Sequence, residues 1–329
     1  MYVSFSGGKD STVLADLVAR YCEMYGYKMY LLFVNTGLEY PEIQKFAKTF
    51  AEWLKNKYGI EVQLDILRPE MRFDEVIRRY GYPVVSKEVA NTIYGAKNGG
   101  GSGKWKNTRL QRLNGELLDK EGQKSRFNCE KWKFLLDADF DVSDYCCGVM
   151  KKKPAKKYEK MTGRKPIIGT LAEESRFRQQ NWMRNGCNSF DGTRARSAPL
   201  SFWTEQDILH YLKKYNIPYC SVYGDIRVKQ SADQSSSFGE QIHVIDYLGD
   251  YSSDDVLETT GCDRTGCIFC MFGCHLEKEP NRFQRLKETH PRQYEYCIGG
   301  GEIVDGKWRP NKEGLGLGHV LDYIGVKYE

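Results

Sequence analysis

The sequence predicts an α/β fold: a doubly wound, mostly parallel sheet with a cysteine-rich extension at its C-terminal end. Three observations predict it. Strand-like and helix-like runs alternate through the first third of the chain, a Gly-rich turn separates the first strand from the first helix, and four cysteines crowd into residues 262–274. A β-α-β-α-β order needs crossover connections, and these give parallel strands with helices on both faces.

Each element has its own reason. Tyr2–Phe5 is a short apolar run that ends in the Gly-rich turn. Residues 11–25 place Val13, Leu14, Leu17, Val18 and Tyr21 at helical spacing. Met29–Val34 is continuously apolar, as strands buried on both faces are. Residues 41–57 open on Pro41 and read as a helix, and 61–67 alternate like a strand. Residues 98–106 (NGGGSGKWK) read as a polar surface loop that opens an insertion over 98–128. Residues 165–171 return to a strand and 173–184 to a helix. Thr204 reads as the N-cap of a helix running to 215, and 228–240 are Ser-rich and loop-like. Helical patterns resume over 280–296, and the chain closes on a Gly-rich stretch and an apolar VLDYIGV segment. The expected organisation is a nucleotide-binding domain over 1–240 and a cysteine-rich domain over 241–329.

Composition narrows the class. The 329 residues are 40% hydrophobic and 28% charged, as expected of a globular chain, and no apolar run reaches the ~18 residues of a membrane span. Residues 1–6 read as a strand rather than an export signal, so a cytoplasmic, membrane-free protein is expected. A net charge of +5 permits a nucleic-acid partner without requiring one. Eleven cysteines in a chain of this length point to metal or redox chemistry rather than a disulfide scaffold.

The strongest motif is Ser6-Gly7-Gly8-Lys9-Asp10-Ser11-Thr12, directly between a strand and a helix. The glycines permit a tight turn and close approach to a phosphate, and the helix N-terminus offers N–H groups and positive charge. Ser6, Ser11 and Thr12 add hydroxyls, Lys9 a point charge, and Asp10 an oxygen suited to magnesium. The pattern is neither the P-loop of Walker A type nor the Rossmann GxGxxG.

SGGKDS resembles the signature of the PP-loop ATP pyrophosphatases, whose fold is the adenine nucleotide alpha hydrolase-like, HUP-type sheet and which cleave ATP to AMP and pyrophosphate. Further segments resemble the PAPS-reductase-like branch. Asn35-Thr36-Gly37, with Tyr40-Pro41-Glu42, looks like its second-strand motif, with Asn35 where Asp is usual. Gly169-Thr170-Leu171, with Glu173-Glu174-Ser175-Arg176, looks like its second phosphate-contacting segment, with Thr170 where Arg is usual. Residues 197–208 look like its PL-x-x-W segment. The resemblance covers roughly 1–97 and 144–275. It implies ATP and Mg2+ as cofactors, Lys9 and Asp10 as catalytic residues, and nucleotide contacts from Ser6–Thr12, Asn35, Thr36, Gly37, Gly169, Glu174 and Arg176. Reductases of PAPS and APS usually carry a degenerate loop, so an intact Lys9 loop favours ATP over a preformed sulfonucleotide.

Cys262, Cys267, Cys270 and Cys274 follow one another within thirteen residues, and Cys146-Cys147 form a distant vicinal pair. Four thiolates suit an iron–sulfur cluster or a structural zinc. A vicinal pair with a distant CxxC resembles the cluster-binding pattern of APS reductases, which implies a [4Fe–4S] cluster on Cys146, Cys147, Cys267 and Cys270. Cys262 and Cys274 are then left over or replace one of the pair, and a spare thiolate such as Cys274 is a candidate nucleophile. The C-terminal catalytic cysteine of those reductases has no counterpart here; Cys297, in YCIGGGE, reads as an ordinary thiol.

Five lysines within residues 151–157, and Arg176, Arg178, Arg184, Arg194 and Arg196, are either a solvated surface or a phosphate-contacting one, with Trp182 and Trp203 as stacking candidates. His275 and His319 read as structural. The function expected is ATP-dependent activation of an acceptor, a nucleic acid favoured, for iron–sulfur-linked sulfur transfer, with a sulfur or electron donor protein as partner. Two alternatives stand beside it: a PAPS or APS reductase releasing sulfite, and a non-catalytic iron–sulfur nucleic-acid-binding subunit.

Overall fold

The computed structural model describes residues 1–99, 103–190, 195–229 and 255–329. The chain runs β1 (Tyr2–Phe5), α1 (Lys9–Tyr25), β2 (Met29–Val34), α2 (Pro41–Tyr58), β3 (Val62–Leu67), α3 (Phe73–Tyr80), β4 (Val84–Val85), α4 (Lys87–Asn98) and α5 (Gly103–Asn114). It continues through α6 (Tyr145–Cys147), α7 (Lys153–Thr162), β5 (Pro166–Ile168), α8 (Arg176–Asn185), β6 (Asn188–Ser189), β7 (Arg196–Ser197), α9 (Glu205–Lys214) and β8 (Ile226–Val228). The last elements are β9 (Leu257–Thr259), β10 (Met271–Phe272), α10 (Arg282–Thr289), α11 (Pro291–Ile298), β11 (Glu302–Val304), β12 (Lys307–Arg309) and α12 (Leu317–Tyr323). No helix among the described residues is long and apolar enough to cross a membrane.

By their internal contacts these residues form two compact units, each made of two chain segments: 1–68 with 154–266, and 69–153 with 267–329. The expected domain boundary at 240/241 lies outside the described residues, as do most of the loop at 228–240 and Arg194.

The first unit holds a six-stranded sheet in the order β3-β2-β1-β5-β7-β6. Every pairing is parallel except β6 with β7, so the sheet is mixed α/β and mostly parallel, as the sequence predicts. Alternation sorts its side chains onto two faces. Val3 and Phe5 of β1, with Leu31 and Phe33 of β2, pack with Leu14 of α1, Phe46 and Phe50 of α2, and Ile208 and Tyr211 of α9. Tyr2 and Leu32 turn the other way and pack with Tyr158 of α7. Helices therefore cover both faces. From β1 the chain moves outward to β2 and β3 and later returns to β5 on the opposite flank of β1. The loop after β1 thus sits at the switch point of a parallel sheet, where ligands bind.

In the second unit, β4 pairs in parallel with β10, setting Val84 beside Met271 and Val85 beside Phe272. The expected loop at 98–106 is partly helical: Gly103–Lys106 belong to α5, and 100–102 lie outside the described residues. The helical pattern read over 280–296 is two helices, α10 and α11. Pro291 starts the second because it lacks the N–H that would continue the first. Cys297 is fully buried.

Candidate nucleotide site and cysteine centre

The residues after β1 build a loop of the kind that cradles phosphates. Gly7 takes φ +74°, and Gly8 caps α1 in extended conformation without a side-chain cap. Ser6 Oγ accepts from the Gly8 N–H at 3.3 Å and lies 3.0 Å from Ser11 Oγ, so the two serines brace the turn. Ser11 and Thr12 donate their hydroxyls to the Gly8 carbonyl at 2.9 and 3.0 Å. They shape the loop from behind rather than project into the space above it. Gly169, just beyond β5, comes so close to α1 that a Cβ there would lie 3.1 Å from the Asp10 carbonyl oxygen.

The loop opens into a cavity of about 520 Å3 in the first unit. Ser6, Gly8, Lys9 and Asp10 form its floor, and Glu173, Glu174, Glu205, Tyr223 and Arg264 stand in its walls. Lys9 Nζ pairs with Glu205 and donates to the Asp263 carbonyl. Arg264 pairs with Glu174 at 2.6 Å, and Arg178 pairs with the same carboxylate. Tyr223 anchors the loop backbone: its hydroxyl accepts from the Lys9 N–H at 3.2 Å and meets Thr265 Oγ1 at 2.7 Å. Burial pushes the Tyr223 phenol up to about 12, so it stays protonated. Burial also raises the Asp10 carboxyl above its ordinary value, against the pull of Lys9 and Arg264. Its Oδ1 is buried with no hydrogen-bond partner among the described residues. Four carboxylates, one of them Asp10 with its orphaned oxygen, thus share one cavity with a loop of the phosphate-binding type.

Other expected contacts lie elsewhere. Asn35, Thr36 and Gly37 form a self-contained turn and do not line the cavity. Thr36 Oγ1 donates to Glu39 at 2.8 Å, the Gly37 N–H donates to Asn35 Oδ1 at 3.0 Å, and Asn35 Nδ2 donates to Gln44 at 3.0 Å. Arg176 is exposed at the start of α8 and also lies outside the cavity lining. Sequence reasoning missed Glu205, Tyr223, Asp263, Arg264 and Thr265. Thr204-Glu205 carries only a helix-start signal, and Asp263-Arg264-Thr265, between Cys262 and Cys267, carries no motif of its own.

Five of the six clustered cysteines belong to the second unit; Cys262 belongs to the first, where its sulfur lies 4.0 Å from the Tyr40 hydroxyl. Cys146 Sγ lies 4.0 Å from Cys147 Sγ. The hydrogen bond to Cys147, burial, and the charges of Cys147, Cys270 and Cys267 all push the Cys146 thiol up, so these four sulfurs feel one another. Cys147 moves down instead, because Cys146 donates to it and the Lys87 and Lys151 ammonium groups face it. Arg282 donates to the Cys270 carbonyl at 2.8 Å. Burial pushes the Cys274 thiol up to about 12.

Among the described residues, no three Cys, His, Asp or Glu side chains converge closely enough to hold a single metal ion. A tetrahedral zinc at ~2.3 Å from each sulfur needs neighbouring sulfurs within ~3.8 Å of one another. A polynuclear cluster spreads its thiolates further apart. Cys146, Cys147, Cys267 and Cys270 lie in one unit with Lys87, Lys151 and Arg282 beside them to offset thiolate charge, and four thiolates are the donor number of an iron–sulfur cluster.

The sequence matches the phosphoadenosine phosphosulfate reductase domain over residues 1–93 and 111–271. The match skips 94–110, within α4 and α5 and the stretch between them. The chain is also similar to an adenosine 5'-phosphosulfate reductase of Lysinibacillus sphaericus (strain C3-41), 32% identical over 103 residues. That alignment covers 31% of this chain and 40% of the relative's length. The family match takes in the loop after β1, the six-stranded sheet and both cysteine pairs, and on that basis the chain belongs to the phosphoadenosine phosphosulfate reductase domain family.

Proposed function

We propose that the protein binds ATP with Mg2+ in the cavity above Ser6–Asp10 and cleaves it to AMP and pyrophosphate, activating an acceptor for sulfur transfer. The observation that carries this reading is an intact Lys9 loop facing Asp10, Glu173, Glu174 and Glu205 in one cavity. Those carboxylates would repel a bare nucleotide anion, but they suit a polyphosphate that arrives with its divalent cation. An acceptor oxygen attacks the α-phosphorus, the bond to the β-phosphate oxygen breaks, and pyrophosphate leaves with the bonding pair. Lys9 and the N–H groups at the start of α1 stabilise the charge that develops. The outer sulfur of a persulfide on a donor protein then attacks the activated atom and AMP leaves with the bonding pair; a second thiol of that donor cleaves the resulting disulfide, leaving the sulfur on the acceptor and the donor oxidised to a disulfide. A nucleic acid is the favoured acceptor. Cys146, Cys147, Cys267 and Cys270 would hold an iron–sulfur cluster, which when bound supplies a redox-active, sulfur-rich centre.

The test is α-labelled ATP with the full chain purified without oxygen. AMP formation by the wild type, lost at least a hundredfold in Lys9→Ala as expected for a phosphate-neutralising charge, supports the reading. A second reading rests on the likeness to an adenosine 5'-phosphosulfate reductase. If the protein is inert to ATP but releases sulfite from adenosine 5'-phosphosulfate in the presence of a thiol donor, that second reading stands and the first falls.

A further inference from the structure

Helix α8 lies open on the first unit. None of its ten side chains is buried, although it carries Phe177, Trp182 and Met183. Phe177 is 79% exposed, Met183 75%, and Phe190, just beyond the helix, 75%. Isolated exposed apolar residues need no explanation, but three together on one short segment, with the half-buried Trp182 among them, mark a surface built to be covered. The charge of the segment says by what. From residue 175 to 198 the sequence has five arginines (176, 178, 184, 194 and 196) against one acidic residue, Asp191. Of these, Arg176 and Arg184 are exposed. Between α8 and β7 lies a slot of about 210 Å3, walled by Phe177, Trp182, Arg178, Arg196, Asn181 and Asn185. Aromatic rings and guanidinium planes lining a small slot are surfaces on which a nucleobase stacks, and arginines on the same helix follow a phosphate backbone.

The structure assigns this slot: we propose that it takes one base of a single-stranded nucleic acid, with the exposed Arg176 and Arg184 of α8 holding the flanking phosphates. An acidic protein surface would use the arginines but has no use for a slot between rings. A lone nucleotide would use the slot but not the exposed arginines along α8. The slot also adjoins the nucleotide cavity. Leu171 lines both, and Arg178 shares Glu174 with Arg264 of the cavity wall. A strand seated on α8 therefore brings a neighbouring nucleotide towards the ATP phosphates. The assignment rests on the reading of the acceptor as nucleic acid, and it names the surface that would hold it.

The experiment is fluorescence anisotropy of the full chain with labelled single strands of about twelve nucleotides, DNA and RNA, across a salt series. The expected result is binding that weakens with salt, and Trp182→Ala and Phe177→Ala variants that bind roughly ten- to a hundredfold more weakly. Arg184→Gln is expected to lower the slope of log affinity against log salt by about 0.7. ATP affinity stays unchanged in all three variants. Phe177, the more exposed ring, guards against a Trp182 variant that fails to fold. A wild type that binds neither strand at low salt overturns the proposal, as do aromatic variants that bind like the wild type. Loss of ATP affinity in Trp182→Ala, with strand binding intact, gives the slot to adenine and also overturns it. A protein inert to ATP that still holds the strand through α8 defeats the ATP reading and leaves this one standing.

Discussion

Gly7 decides how closely the loop after β1 can approach a phosphate. Its φ of +74° lies in the left-handed region, and a Cβ added there would lie 2.8 Å from Ile43 Cγ2. Gly7→Ala meets both the backbone penalty and the contact. It is expected to lower stability by about 1–2 kcal/mol and to reduce AMP formation more than Lys45→Ala, an exposed control on α2. A thermal melt and an ATP turnover assay check it, and an unchanged melt would show that the loop relaxes around the new methyl group. Gly7, Gly8 and Lys9 were readable in the sequence because the loop is contiguous and its chemistry is local. Tyr223 was not: its hydroxyl reaches the Lys9 N–H from 214 residues away, and a tyrosine in the irregular IPYCSVYG stretch carries no periodicity or spacing that points to such a contact.

Among the helices, α1 carries the loop and its orientation depends on Asp16. This carboxylate is fully buried. It accepts from Tyr58 at the end of α2 at 2.5 Å, from Tyr211 of α9 at 2.8 Å and from Arg20 one turn on at 3.0 Å. Three helices therefore meet on one charge, which is tolerated in the interior because its lone pairs are satisfied. Asp16→Ala leaves the buried Tyr211 phenol, the half-buried Tyr58 phenol and a guanidinium without their acceptor, and a loss of about 3–5 kcal/mol is expected. Asp16→Asn keeps part of the hydrogen bonding and should lose less. Denaturant unfolding measures both, and equal losses would mean that packing, not the network, holds the helices. At this scale the sequence was most legible where periodicity is long: β1 through β3 emerged with ends displaced by only one or two residues. It was least legible where pairing is long-range and short. The two-residue strands β4 and β10 lie 187 positions apart at Val84 and Met271, and neither is long enough to show an alternation.

The whole molecule divides the chemistry that the sequence had run together. Residues 262–274 read as one cysteine motif, yet the boundary between the two units falls between Gly266 and Cys267. Spacing alone could not show this, because the motif continues across the boundary without a break in composition. The division makes the ligand question decidable. Cys146, Cys147, Cys267 and Cys270 share one unit and feel one another's charge, whereas Cys262 lies in the other unit beside Tyr40. Cys274 is buried, which pushes its thiol up. Anaerobically purified wild type is therefore expected to hold about four irons per chain, with broad absorption near 400 nm. Serine at Cys146, Cys147, Cys267 or Cys270 should each remove most of that iron, whereas serine at Cys262 or Cys274 should keep it. Because residues of the first unit alone line the nucleotide cavity, ATP affinity should survive in the Cys270→Ser variant. Iron lost from Cys262→Ser would bring that thiol into the ligand set, and one zinc with no iron in the wild type would replace the cluster by a structural ion. Iron loss and loss of ATP affinity together in Cys270→Ser would show that the two units depend on each other for more than their shared chain.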